Sequence, residues 1–205
     1  MPHPTQMSAG DTGLLVIDVQ EKLLPKVHDA KALVRNIAFL IDGARLLNMP
    51  VQATEQYPKG LGATVPELAG RLPERPDKVA FSSCAVGSVV EAFHRAARPK
   101  VVLAGIETHV CVLHTALDLL AADFRVYVAA DAVGSRYAVD HEYALRPPGL
   151  QLSASSFIRS CTSRLTSRNF GLPAPPTHSN THVSLVVRMA PACSSRRRAV
   201  SWSTG

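Results

Sequence analysis

The chain has 205 residues, 46% of them apolar, and a formal net charge of +6 with a pI near 9.4. That is enough for one domain with a real core, and no apolar run approaches the ~20 residues needed to span a membrane, so an integral helical membrane protein is excluded. The positive charge is unevenly placed. Residues 1–146 hold fifteen Lys and Arg against sixteen Asp and Glu, while 147–205 hold seven arginines, no lysine and no acid. A basic pI ordinarily points to nucleic acid or acidic partners, but here it says nothing of the first 146 residues. Residues 1–10 carry no basic-then-apolar leader and read as a flexible lead-in.

In chain order, residues 13–17 form a short apolar run ending in Asp18-Val19-Gln20, the pattern of a buried strand with a carboxylate at its C-terminal tip. Leu33, Ile37, Leu40, Ile41, Ala44 and Leu47 then recur at helical spacing until Asn48 and Pro50 end the stripe. Val51-Gln52-Ala53 reads as a second strand, and residues 77–82 as a short third one with Lys78 near its start. Val89, Val90, Phe93 and Ala97 mark a second long helix that stops near Pro99, and residues 101–105 a fourth strand. Leu113, Ala116, Leu117 and Leu120 continue a helix after it, and 124–130 closes a fifth strand on Asp131-Ala132-Val133-Gly134-Ser135. Strands alternating with helices imply an α/β fold, a doubly wound parallel sheet in a three-layer, Rossmann-like arrangement with right-handed crossovers. Gly60-Leu61-Gly62 lacks the third glycine and the setting of a dinucleotide fingerprint, and no cofactor is expected.

One segment concentrates the chemistry. Gly105-Ile106-Glu107-Thr108-His109-Val110-Cys111-Val112 brings a cysteine to a strand–helix junction, where unpaired N–H groups and the helix dipole favour a thiolate. The alternative is a small buried apolar residue, the commoner role of free cysteine. In an open parallel sheet ligands bind beyond the carboxyl ends of strands, where strand order reverses. If strands one and four flank that point, Asp18 and Cys111 face each other across the crevice, with Lys78 as a nearby cation. At their ordinary pKa values, about 3.9 and 8.5, moving the Cys111 proton to Asp18 is uphill by about 6 kcal/mol, so the surroundings must shift one or both. His109 and His114, two before and three after Cys111, are alternative bases. Their spacing with Cys111 fits no common zinc pattern, and no metal is expected.

The segments Leu14-Leu15-Val16-Ile17-Asp18-Val19-Gln20, Thr54-Glu55-Gln56-Tyr57-Pro58-Lys59-Gly60-Leu61-Gly62, Lys78 with Phe81-Ser82, and residues 105–112 resemble the isochorismatase-like cysteine hydrolases in order and spacing, from about 13 to 145. Within that superfamily the Glu-Gln-Tyr-Pro segment is most similar to the isochorismatase domain-containing proteins. The resemblance implies a catalytic Asp18, Lys78 and Cys111, a cis peptide at Ile106–Glu107, and an oxyanion hole from the Glu107 and Cys111 amides. It also implies covalent catalysis through a thioester on a small amide or carbamoyl-type substrate. Gln20, Glu55, Gln56, Tyr57 and Thr108 are candidate substrate-binding groups, with loop anchoring the other reading of Glu55, Gln56 and Tyr57. The metal-binding branch carries an Asp-x-His pattern where this chain reads Thr54-Glu55-Gln56-Tyr57.

Beyond Arg146 nothing resembles the family's last strand and helix. A hydrolase domain over 11–146, incomplete at its C-terminal side, and a basic Ser/Pro/Arg-rich tail over 147–205 are therefore expected, the tail disordered or arising from a changed reading frame. A fifth strand left with an open edge favours pairing with another subunit, hence a homo-oligomer. Cysteines 84, 111, 161 and 193 form no paired spacing, which fits a reducing cytoplasm. Two other function classes stay open: a catalytically silent interaction module, and a protein binding nucleic acid through its tail, the less favoured of the two. Removing the chain after 146 should leave a hydrolase unharmed and abolish a tail-dependent binder.

Overall fold

The computed structural model describes residues 5–158. Six parallel strands form one sheet: β1 (Thr12–Ile17), β2 (Val51–Gln56), β3 (Asp77–Lys78), β4 (Lys100–Ile106), β5 (Arg125–Gly134) and β6 (Gln151–Ser153). Their order is β3-β2-β1-β4-β5-β6, so the winding reverses between β1 and β4. The helices are α1 (Ala30–Leu46), the single turns α2 (Pro58–Leu61) and α3 (Pro66–Ala69), then α4 (Gly87–Arg95), α5 (Leu113–Ala121) and α6 (Ala138–Ala144).

Alternation along the central strands divides the core in two. Leu14 and Val16 of β1 with Val102 and Ala104 of β4 face α1, whose Leu33, Ile37, Leu40, Ile41 and Ala44 form the predicted stripe. Leu15, Ile17, Val101 and Leu103 face the other way, against Val89 and Phe93 of α4 and Ala116 and Leu119 of α5. Burying each large aliphatic side chain is worth about 1.5–3 kcal/mol, so both faces of β1 and β4 are held without a polar residue in mid-strand. This is the doubly wound α/β architecture expected.

The strands differ from the expectation at three places. β3 is only two residues long, with Lys78 at its end rather than near the start of a longer strand. β5 runs on to Gly134 because its register against β4 shifts between Leu103 and Gly105, so the turn-like Asp131-Ala132 is a bulge within a strand. The sheet also does not end at β5. Gln151–Ser153 pairs with Tyr127, Val128 and Ala129, and the fully buried Ile158 packs into the α1 face.

Residues 147–158 thus add to the sheet and the core beyond the boundary expected at 146: a Pro-Pro-Gly turn hides a three-residue strand that no period could reveal. Residues 5–10, expected to be flexible, are tied at two points, where Tyr127 donates to the Thr5 carbonyl at 2.6 Å and Lys100 to that of Gln6 at 2.6 Å. The nature of the tail from 159 onward lies outside the described residues. Among the described residues no helix is long and apolar enough to cross a membrane.

Candidate active site

The reversal of strand order places the tips of β1, β2, β3 and β4 around one crevice. Asp18 follows β1 in a left-handed conformation, φ 53°, which aspartate tolerates better than most residues. Lys78 ends β3. Cys111 lies in a widened π turn, Thr108–Val112, between β4 and α5, a local form that recurs at functional sites. Gly105 lets β4 approach β1 here: its φ is +122°, and a Cβ would stand 2.1 Å from the Ile17 carbonyl oxygen. The next peptide, Ile106–Glu107, is cis, as the resemblance implies.

Asp18, Lys78 and Cys111 are 0%, 4% and 5% exposed. Lys78 Nζ donates to Asp18 Oδ2 at 2.6 Å, to Gln56 Oε1 at 2.7 Å and to the Phe81 carbonyl at 2.8 Å. Thr54 Oγ1 donates to Asp18 Oδ1 at 2.8 Å, and the same carboxylate acts electrostatically on the Cys111 thiol. Burial raises the Asp18 carboxyl above the usual range, against the Lys78 charge and the hydrogen bonds from Lys78 and Thr54. Burial and then the Asp18 charge push the Cys111 thiol up to about 12, with Lys78 opposing. The thiol is therefore not a standing thiolate, contrary to what its place at a helix start alone suggests: burial, and after it the facing carboxylate, favours the neutral form. The raised Asp18 narrows the gap between base and thiol, and the raised Cys111 widens it.

The other candidates divide. Gln56 is at the cluster, holding Lys78 with its oxygen and donating Nε2 to the Val79 carbonyl at 2.9 Å. Tyr57 is 53% exposed at the rim. Thr108 is buried beneath α6, its hydroxyl 3.0 Å from His141 Nδ1. Gln20 instead clamps backbone, donating to the carbonyls of Gln56 and Gly62 and accepting the Gln56 N–H at 2.7 Å. Glu55 accepts from Thr64 and Arg75, which is the loop-anchoring role. The Glu107 carboxylate turns to Arg136, at 2.6 and 3.0 Å.

The Nδ1 atoms of both nearby histidines are engaged away from the Cys111 thiol. His114 Nδ1 is 2.8 Å from the Val110 carbonyl, and His109 Nδ1 is 3.0 Å from Ser135 Oγ. Among the described residues no three His, Cys, Asp or Glu side chains gather where they could hold a metal ion. Sequence reasoning missed Thr54, Ser83, Thr115 and Arg136. Thr115, four residues after Cys111 on the same helical face, had a usable signal in that spacing.

A three-layer α/β fold with a buried carboxylate, ammonium and thiol at the reversal of its strand order defines a protein of the isochorismatase-like hydrolase class. The isochorismatase domain matches residues 12–147, and the chain belongs to that family. It is 40% identical over 141 residues to isochorismatase domain-containing protein 2 of Danio rerio, covering 68% of this chain and 71% of that one. With protein 2A of Mus musculus it shares 42% over 148 residues, 71% of each chain. Among solved structures it resembles the MAR1 ribonuclease of Caenorhabditis elegans, with a TM-score of 0.70 and 36% identity over 78% of this chain and 85% of that one. YcaC of Pseudomonas aeruginosa, solved with covalent acrylamide, gives 0.72 and 25% over 80% and 88%.

Proposed function

We propose that the chain is a metal-independent cysteine hydrolase acting on a small amide or carbamoyl-type substrate through a Cys111 thioester. The observation that carries this reading is the buried Asp18 carboxylate, which accepts from Lys78 at 2.6 Å and acts electrostatically on the Cys111 thiol. Because the thiol is protonated at rest, sulfur attack and proton transfer to Asp18 are coupled: the S–C bond forms as the S–H proton moves to the carboxylate. The Glu107 and Cys111 amides receive the charge that develops on the carbonyl oxygen. Asp18 then returns its proton to the leaving nitrogen as the C–N bond breaks. Water, giving a proton to Asp18, opens the thioester, and that proton restores the thiol. Lys78 holds Asp18 in place throughout, and Gln56, Tyr57 and Thr108 supply the polar contacts, while Gln20 and Glu55 brace the loops.

Exposed Val79 and Phe81, 82% and 54% accessible beside the crevice, support the homo-oligomer. The test is ammonia release from a panel of small primary amides and carbamoyl compounds, with acid-quenched peptide mass spectrometry of Cys111. Release with a mass increment on Cys111, both lost in Cys111→Ala and Asp18→Asn, is expected. Release that survives in Cys111→Ala refutes the reading.

A second reading is favoured by the 36% identity to the Caenorhabditis elegans ribonuclease. Labelled RNA offered to the same three proteins separates the two. Cleavage by the wild type but not by Cys111→Ala moves the substrate class from amides to RNA. Turnover of neither by the folded protein leaves the silent interaction module.

A further inference from the structure

Three buried hydroxyls stand between the base and the nucleophile without a role in the chemistry above. Thr54, Ser83 and Thr115 are 1%, 0% and 0% exposed. The Thr54 hydroxyl proton is committed to Asp18 Oδ1 at 2.8 Å, so in the 3.0 Å contact between Thr54 Oγ1 and Ser83 Oγ it is Ser83 that donates. The Thr115 hydroxyl donates to the Cys111 carbonyl at 2.7 Å and accepts the Ser83 N–H at 2.8 Å. Ser83 thus faces both ways, its hydroxyl toward the base and its amide toward the turn that carries the nucleophile. The loop that bears it is fixed to the same site, since Lys78 donates to the Phe81 carbonyl at 2.8 Å. A bond from a threonine to the carbonyl four residues earlier bends a helix start, and here it acts on the widened Cys111 turn.

We propose that Ser83 and Thr115 are positioning residues that hold the Cys111 turn and the Asp18 carboxylate in register through one continuous hydrogen-bonded path, Asp18–Thr54–Ser83–Thr115–Cys111. This rests on the reading of Asp18 and Cys111 as a pair sharing a proton. Lys78 from β3 and Cys111 from the turn after β4 are the titratable groups facing Asp18. The Thr54 hydroxyl donates to the carboxylate and the Ser83 hydroxyl donates to Thr54, so the path stabilises the charged base, while the Thr115 side fixes the sulfur's approach.

The experiment is the pH dependence of Cys111 alkylation by iodoacetamide, followed by peptide mass spectrometry in the full chain. In the wild type the rate is flat near neutrality and falls in acid as Asp18 takes a proton. Thr115→Val lowers the flat rate about tenfold, as expected for losing two buried hydrogen bonds, and Thr115→Ser restores it. Ser83→Ala keeps the amide but loses the donor to Thr54, and its acid limb moves up by about half a pH unit.

A flat rate unchanged in Thr115→Val, no recovery in Thr115→Ser, or an unmoved limb in Ser83→Ala overturns the proposal. Should Thr115→Val fail to fold, the limb of Ser83→Ala and the rate of Thr115→Ser decide it. A wild-type profile with no acid limb, unchanged in Asp18→Asn, refutes the shared proton and the path with it. An acid limb lost in Asp18→Asn but untouched by the other variants refutes the path alone.

Discussion

Lys78 Nζ sits 2.6 Å from Asp18 Oδ2 with both side chains sealed from solvent, 1% and 0% exposed. Such a pair contributes little net stability, because desolvating both charges offsets their attraction, but losing one partner leaves a buried charge uncompensated. Lys78→Met is expected to cost about 3–5 kcal/mol in urea denaturation and to abolish turnover, since the buried Asp18 carboxylate loses the cation that favours its charged form. The double variant Asp18→Asn, Lys78→Met is expected to recover much of the stability and none of the activity. Equal stability of the Lys78→Met protein and the wild type would show that the ammonium is not needed to hold the carboxylate.

Glu107 provides a pH signature of opposite sign to Asp18. Hydrogen bonds from Arg136 hold its carboxyl below the usual range, against burial. A folded-state pKa below the unfolded value near 4.3 means the contribution is complete above that pH and is lost as the pH falls through the folded value. Asp18, raised by burial, favours the folded state in acid and loses that contribution as the pH rises through its folded value. With Arg136 over a third exposed, solvent screening limits the pair to about 0.5–1 kcal/mol. Glu107→Gln should therefore be less stable than the wild type by that amount at pH 6–7, with the gap closing toward pH 3 in urea titrations. A gap that stays constant across this range would assign the loss to packing.

The meeting of Asp18 and Cys111 was legible in the sequence because each follows an apolar strand, whereas Lys78 ends a strand of only two residues and was legible through the family resemblance. The helical stripe of α1 was legible because its period repeats over several turns. Thr54, Ser83 and Thr115 were not, since hydroxyls occur on every strand and helix and only the fold shows which of them meet. Glu55 and Gln20 read as polar groups of the crevice, yet their side chains point to Thr64, Arg75 and loop backbone, a choice of direction that a strand tip leaves open. The upward shift of Cys111 was not legible, because the sequence shows the helix start but not how completely the site excludes water.

Gly105 is where β4 passes closest to β1. Its φ of +122° is strained for any L side chain, and the clash a Cβ would make is with the Ile17 backbone, which cannot swing aside. Gly105→Ala is expected to destabilise the fold by about 3–5 kcal/mol and to displace the Cys111 turn that follows. The check is a pair of readings on one sample, denaturant midpoint and Cys111 alkylation rate, and both should fall. An unaltered alkylation rate in a destabilised protein would mean that the turn is set from the α5 side instead.

Ile158 tests where the domain ends. It is fully buried and packs over Gly43 of α1, where a Cβ would meet its Cγ1 at 2.6 Å, sixteen residues past Glu142, the last acidic residue of the sequence. Asp131 fastens the same segment, accepting the Ser155 N–H and hydroxyl at 2.6 Å each. Ile158→Ala removes the aliphatic anchor and leaves a cavity against α1, for an expected loss of about 2–5 kcal/mol. Ending the chain after Arg146 also strips β6 from the edge of β5, so that form should be less stable than Ile158→Ala and more prone to pair through the bared edge. Denaturant midpoints of the full chain, Ile158→Ala and the shortened chain, with sedimentation of each, decide the matter. Equal midpoints for all three would return the boundary to residue 146. A graded loss makes residues 147–158 part of the folding unit despite their composition.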